Sequence, residues 1–179
     1  MENPDPVCIG EFLHSVDPKS RVAIPHAFRK AMRLVDGDKV VVARGPDCCI
    51  EVHTLDGWKR HVEDTMGGIS LYDPQARRLR RTRLSRAHEV EVDSQGRILI
   101  PKNLKDVSGI ADQAMVIGVG PFFEAWEPNR YQQYFGPADE QYDRDLIKLD
   151  GLKNRPRTEP PCEEARHADG DVPRAGDGR

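Results

Sequence analysis

The stretch Val16-Asp17-Pro18-Lys19-Ser20-Arg21-Val22-Ala23-Ile24-Pro25 returns later in the chain as Val92-Asp93-Ser94-Gln95-Gly96-Arg97-Ile98-Leu99-Ile100-Pro101. Five of the ten positions are identical: valine, aspartate, arginine, isoleucine and proline. The same offset of 76 pairs Phe28 with Leu104, Ala31 with Val107 and Leu34 with Ile110. After a three-residue gap, Cys49-Ile50-Glu51 falls on Phe122-Phe123-Glu124 and Trp58 on Tyr131. Self-similarity of this extent marks a duplicated supersecondary unit of about 45 residues.

Each unit reads alike. Phe12, His14 and Val16 alternate with Leu13 and Ser15, and Val90 and Val92 with Glu89 and Glu91, the period of two that belongs to a strand. Asp17-Pro18-Lys19-Ser20 places aspartate and proline at the first two positions of a type I turn, and Asp93-Ser94-Gln95-Gly96 places glycine at the fourth. Both are hairpins in which arginine opens the returning strand, with Val22 and Ile24, or Ile98 and Ile100, on the opposite face. Pro25 and Pro101 end that strand and suit a first helical position. A short helix follows, with Ala27, Phe28, Ala31, Met32 and Val35 as its apolar stripe. Closing strand pairs are expected at 39–43 and 49–53, and at 114–119 and 122–126. A module this small buries too little apolar surface to stand alone. Two must pair within the chain, and further copies are expected to form a homo-oligomer.

Between the copies, Leu55, Trp58, Val62 and Met66 recur at helical spacing up to Gly67-Gly68, and a second helix is expected from about 74 to 86. The expected organisation is a module at 11–55, a helical linker at 56–86, a module at 87–130, a C-terminal helix at 131–150 and a disordered tail at 151–179. In that tail, charges, prolines and glycines replace apolar periodicity. No run approaches the roughly 20 apolar residues of a membrane span. The acidic, proline-containing start is unlike a secretory signal, so the expected location is cytoplasmic. Cys8, Cys48, Cys49 and Cys162 show no CxxC spacing, so neither metal nor cofactor is expected.

The formal charge is −3, but its distribution matters more. Residues 137–179 hold 8 Lys/Arg against 11 Asp/Glu, which accounts for the whole imbalance. Residues 77–97 hold seven arginines against Glu89, Glu91 and Asp93. Arg21 and Arg97 stand at equivalent places beside a tight turn, and a β-ribbon of this kind fits a DNA groove, where arginine takes guanine or phosphate. The same D-x-x-x-R spacing also fits a purely structural ion pair that holds the hairpin. Arg77, Arg78, Arg80, Arg81, Arg83 and Arg86 fit phosphate contacts, but the favoured reading is a solvated helix face paired with Glu63 and Asp64 or with a neighbouring subunit. Trp58, Trp126, Phe122 and Phe123 read as core or interface aromatics, and His14, His53 and His88 as ordinary strand residues. Phosphate-binding, dinucleotide and nucleophile-elbow motifs are all missing from the sequence, which argues against an enzyme.

The doubled D-x-x-x-R with its Val/Ile-x-Ile-Pro, together with GEFLHSVDPKSR at 10–21 and MVIGVGPFFEAW at 115–126, resembles the MraZ proteins of bacteria over about residues 9–136. The resemblance implies an α+β, mainly β fold: two tandem AbrB-like swapped-hairpin modules forming a small pseudo-twofold β-barrel, with a helical linker. It implies a nucleoid-associated transcriptional regulator, assembled as a closed ring on repeated boxes in the promoter of its own division and cell-wall gene cluster. Double-stranded DNA is then contacted by Arg21 and Arg97 and by the basic turn residue Lys19. Ser20 departs from the glycine of the family motif. If that position needs a positive φ, serine costs about 1 kcal/mol, is expected to reshape the first turn, and leaves Arg97 as the favoured base reader. The alternative is an antitoxin that binds a partner protein through its C-terminal tail.

Overall fold

The computed structural model describes residues 7–68, 70, 72–136, 142 and 144–149; the tail expected at 151–179 lies outside the described residues. In the first copy, strand β1 (Glu11–Ser15) turns into β2 (Arg21–Ala23), followed by helix α1 (His26–Ala31) and strands β3 (Lys39–Arg44) and β4 (Ile50–Thr54). Helices α2 (Leu55–Met66) and α3 (Pro74–Leu84) follow. The second copy repeats the order: β5 (His88–Glu91), β6 (Arg97–Leu99), α4 (Lys102–Ser108), β7 (Gln113–Gly118) and β8 (Phe123–Trp126), then α5 (Pro128–Phe135). Residues 144–149 are also helical.

The copies exchange strands. β1 pairs antiparallel with β7 of the second copy, and β5 pairs with β3 of the first. β2 and β6 form a two-stranded ribbon, while the other strands form one sheet in the order β1-β7-β8-β4-β3-β5. The registers reveal a local twofold. Val22 faces Ile98 at the centre of the ribbon, and Glu51 faces Glu124 where β4 meets β8; each pair joins equivalent positions of the repeat. A Val16–Val22 bridge ties β1 to the ribbon. The tandem, mainly antiparallel architecture expected from the sequence is therefore present.

One apolar core serves both copies. Val16, Val22, Ile24 and Phe28 meet Val92, Ile98, Ile100 and Leu104 in a single buried cluster. Phe28 is fully enclosed, edge-on to Phe12 and 5.5 Å from Phe123 between ring centroids. A second cluster seats α5 through Tyr131 and Phe135 against Trp126 and Ile117.

The structure corrects several local expectations. Val35 does not belong to the stripe of α1: the helix ends at Ala31, Arg33 takes φ 56, and Val35 is exposed. Pro25 and Pro101 sit one residue earlier than expected, as the caps before α1 and α4. Helix α3 stops at Leu84, and the closing strands shift by a residue.

Because Phe28 fills the point where strands of both copies converge, Phe28→Ala should lower the unfolding free energy by about 3–5 kcal/mol, measured by urea denaturation.

Candidate nucleic-acid interface

Two matched hairpin turns build the site. In the first, Asp17 Oδ1 accepts the backbone N–H groups of Lys19 and Arg21, both at 2.9 Å. In the second, Asp93 Oδ1 accepts those of Gln95 at 3.0 Å and Arg97 at 2.9 Å. Each turn is closed by an i to i+3 bond, Ser20 N–H to the Asp17 carbonyl and Gly96 N–H to the Asp93 carbonyl. Aspartate is needed here because its short carboxylate satisfies turn N–H groups that no strand can reach.

Ser20 takes φ 61 and Gly96 φ 72, the left-handed residue that follows a type I turn in a three-residue hairpin loop. The expected reshaping of the first turn is not found, since both turns keep the same bonds. Serine is instead accommodated by its neighbour: Lys105 of α4 donates to Ser20 Oγ at 3.2 Å. At the equivalent place Arg29 of α1 lies against Gly96, where an added Cβ would come 2.5 Å from its Nη1. Each turn is covered by the basic residue of the other copy's helix. The carbonyls of these two turn residues also accept from the opposite copy, Ile100 N–H to Ser20 and Ile24 N–H to Gly96.

The arginines do not project freely from the tips. Arg21 holds Asp17 Oδ2 through Nε and Nη2, both at 2.8 Å, and Nη1 reaches across to Asp93 at 3.4 Å. Arg97 mirrors it, with 2.9 and 2.8 Å to Asp93 and 3.5 Å to Asp17. Two guanidinium groups and two carboxylates thus interlock about the local twofold. The side-chain hydrogen bond from Arg97 drives the Asp93 carboxyl from 3.8 down to about 2. Asp17 is also lowered, chiefly by the backbone N–H of Arg21. Lys19 is exposed at its tip.

Helix α3 presents the arginine cluster. Asp73 caps its start by accepting from Gln75 and Ala76, and none of its residues is buried. Arg78, Arg80 and Arg81 face outward, as does Arg86 beyond the helix end. Arg77 bonds the Tyr72 carbonyl at 2.6 Å. Arg83 turns inward instead, and its partner is Glu51 of β4 at 2.6 Å, not the Glu63 or Asp64 considered from the sequence.

That contact leads to a cluster which sequence reading passed over. Glu51 and His53 stand two apart on β4 and share a face, both buried. His53 Nε2 is 3.1 Å from Glu51 Oε2, and the His53 ring stacks on Phe122 at 4.3 Å. His61 of α2 closes the group, with Nε2 2.6 Å from Arg83 Nη2. Burial pushes the Glu51 carboxyl up, but the His53 hydrogen bond and the Arg83 charge outweigh it and hold it below its ordinary value. Burial lowers His61, which keeps its Nε2 lone pair open to the guanidinium. The available signal was Glu-x-His at strand spacing, but it lies on the polar side of an ordinary alternation with Ile50 and Val52, which reads as a solvated face until α2 is seen to pack against β4.

A family model described as "MraZ protein, putative antitoxin-like" matches residues 8–82 and 84–145. A protein of Acetivibrio thermocellus named transcriptional regulator MraZ is 37% identical over 127 residues, covering 71% of this chain and 85% of that one. One of Alkaliphilus metalliredigens with the same name is 35% identical over 144 residues, covering 80% and 97%. The solution structure of PHS018 from Pyrococcus horikoshii is 21% identical, covering 68% of this chain and 96% of that one, with a TM-score of only 0.33.

Two outcomes follow from the turns. Gly96→Ala should destabilise by about 1–2 kcal/mol from the left-handed φ, the Arg29 guanidinium being the mobile end of a long side chain that can move off the new Cβ; thermal or urea unfolding measures it. The Asp93 carboxyl is depressed on folding, so its stabilising effect is complete above pH 3.8 and disappears as pH falls through about 2. Asp93→Asn should therefore flatten the pH dependence of unfolding in that window relative to the wild-type chain.

Proposed function

The chain belongs to the MraZ family, and on that premise we propose that it is a transcriptional regulator that binds double-stranded DNA, as its relatives are named. The observation that carries this reading is the twinned ribbon. β2 and β6 run antiparallel and set one tight turn at each end of a short ribbon about a local twofold, and a two-stranded ribbon is a shape the major groove admits.

Lys19, Arg21 and Arg97 are the proposed contacts. Each arginine commits Nε and Nη2 to its own aspartate, whereas Nη1 makes only a contact of 3.4 or 3.5 Å across the twofold. That Nη1 edge can pass to a phosphate or a guanine at little cost. The aspartate meanwhile holds the guanidinium still, so less rotamer freedom is lost on binding. The structural and DNA-contacting readings of these arginines are thus compatible. On α3, phosphate contact is assigned to the outward Arg78, Arg80 and Arg81 rather than to Arg77 or Arg83, which hold partners within the chain.

The proposed working form is a homo-oligomer, a closed ring on repeated boxes in the promoter of its own division and cell-wall gene cluster, in the cytoplasm at the nucleoid. Support comes from the sheet's end strand β1, with exposed Leu13 on it and exposed Val7 and Ile9 just before it; such an edge is a template for another copy. The module boundaries proposed are 11–55 and 87–130, with the linker between them. The family is also described as "antitoxin-like", a reading that co-purification of an unrelated protein through residues 137–179 would favour.

The test is anisotropy with DNA from upstream of the protein's own gene across a salt series. Log affinity should fall steeply with log salt. Lys19→Ala should weaken all sequences alike and reduce the salt slope by about one. Arg97→Ala should cost about 1–3 kcal/mol of binding and, unlike Lys19→Ala, should also lower the melting temperature, because Asp93 loses its partner. Affinity indifferent to salt and to both substitutions would overturn the assignment.

A further inference from the structure

Beneath α2, far along the chain from the two turns, Glu51, His53 and His61 bring three lone-pair donors to one place. Glu51 Oε2 is 3.1 Å from His53 Nε2 and 3.7 Å from His61 Nε2, and one ligating atom from each residue lies within 4.8 Å of the others. Glu51 is 3% and His53 1% exposed. Buried acceptors so arranged require a cation or a proton among them.

In this structure the cation is a guanidinium. Arg83 Nη2 lies 2.6 Å from both Glu51 Oε2 and His61 Nε2. The fit is incomplete. Arg83 Nε is buried with no hydrogen-bond partner, and Nη1 reaches the Arg44 carbonyl only at 3.3 Å. The helix that carries Arg83 buries none of its residues.

We propose that Glu51, His53 and His61 form a binding site for a divalent transition ion of the zinc class, and that Arg83 is the exchangeable cation occupying it in the metal-free protein. Two imidazoles and one carboxylate are a known zinc ligand set that leaves a fourth position for water. Zinc bonds of about 2.0–2.2 Å in a tetrahedron put neighbouring ligand atoms about 3.3 Å apart, and the observed 3.1 and 3.7 Å bracket that spacing. Nitrogen ligands favour zinc, nickel or cobalt over magnesium and calcium, which prefer all-oxygen shells. Phe122, stacked on His53, and Trp58, edge-on to it, hold that ring in place. To ligate through Nε2, His53 carries its proton on Nδ1, and the contact with Glu51 passes through the ion. The ion expels the guanidinium, so α3 loses its tether to the sheet, and metal occupancy is coupled to the freedom of the arginine helix.

The experiment is calorimetric titration of the full chain with zinc chloride, magnesium chloride serving as control. It compares wild type, Arg83→Gln, His61→Ala and the double variant, each checked for folding by circular dichroism. The expected result is one zinc per wild-type chain, with a change in Trp58 fluorescence because Arg83 lies 5.5 Å from that ring. Binding should be about tenfold tighter in Arg83→Gln, the scale on which outer groups tune a metal site, lost in both His61→Ala variants, and undetectable with magnesium. The proposal is overturned if zinc binds neither wild type nor Arg83→Gln, if Arg83→Gln leaves the affinity unchanged, or if binding survives His61→Ala, which would assign it to the cysteines. Should Arg83→Gln fail to fold, wild type against His61→Ala decides by the same criterion.

Discussion

β1 finds its long ladder in the other half of the chain. Its five residues run against β7, as β5 runs against β3, and the two halves can therefore be satisfied only together. The rest of the molecule follows from that exchange. It brings β2 against β6 with one turn at each end of the ribbon, and places each aspartate within reach of both arginines. It also merges the two apolar faces into one core, which a single copy of some 45 residues could not close. The site is thus made by the topology and not by either hairpin alone.

Equivalent positions have not stayed equivalent, and the differences are physically matched. Ser20 with Lys105 occupies the space that Gly96 with Arg29 occupies on the other side. A planar guanidinium needs the room left by a missing side chain, whereas a slim lysine leaves room for a hydroxyl and bonds to it. The same holds at the far end of the twofold, where Glu51 faces Glu124. Glu51 is neutralised by Arg83 from the linker. Glu124 accepts from the Trp126 indole N–H at 2.8 Å, and burial raises its carboxyl. One duplicated carboxylate is kept charged and the other is pushed toward its neutral form.

Much of this was legible in the residues. The ten-residue repeat gave the duplication, its aspartates and turn residues the hairpins, and period-two alternation the strands. These signals are local, so short-range sterics and hydrogen bonding write them directly into the sequence. The partners of β1 and β5 were not legible, because a strand's alternation says which face is apolar but not which strand lies beside it. The second aspartate of each arginine depends on that pairing and was hidden with it. So was the Arg83–Glu51 contact, which joins residues 32 apart through a helix whose arginines otherwise face solvent. Val35 failed for a simpler reason: helical spacing continues past Ala31 in the letters, whereas the backbone turns away at Arg33.

The exchange has a consequence for how the two halves are joined. Since each hairpin serves its neighbour, the linker holds two complementary halves together and raises their effective concentration, while its helices α2 and α3 bring His61 and Arg83 against Glu51. A break near residues 69–71 would leave two fragments that complement one another as a heterodimer. A half-length chain carrying one symmetric copy would face the same demand and meet it by dimerising. Covalent duplication removes that dependence on concentration and lets each copy specialise, so that one carries serine with lysine and the other glycine with arginine.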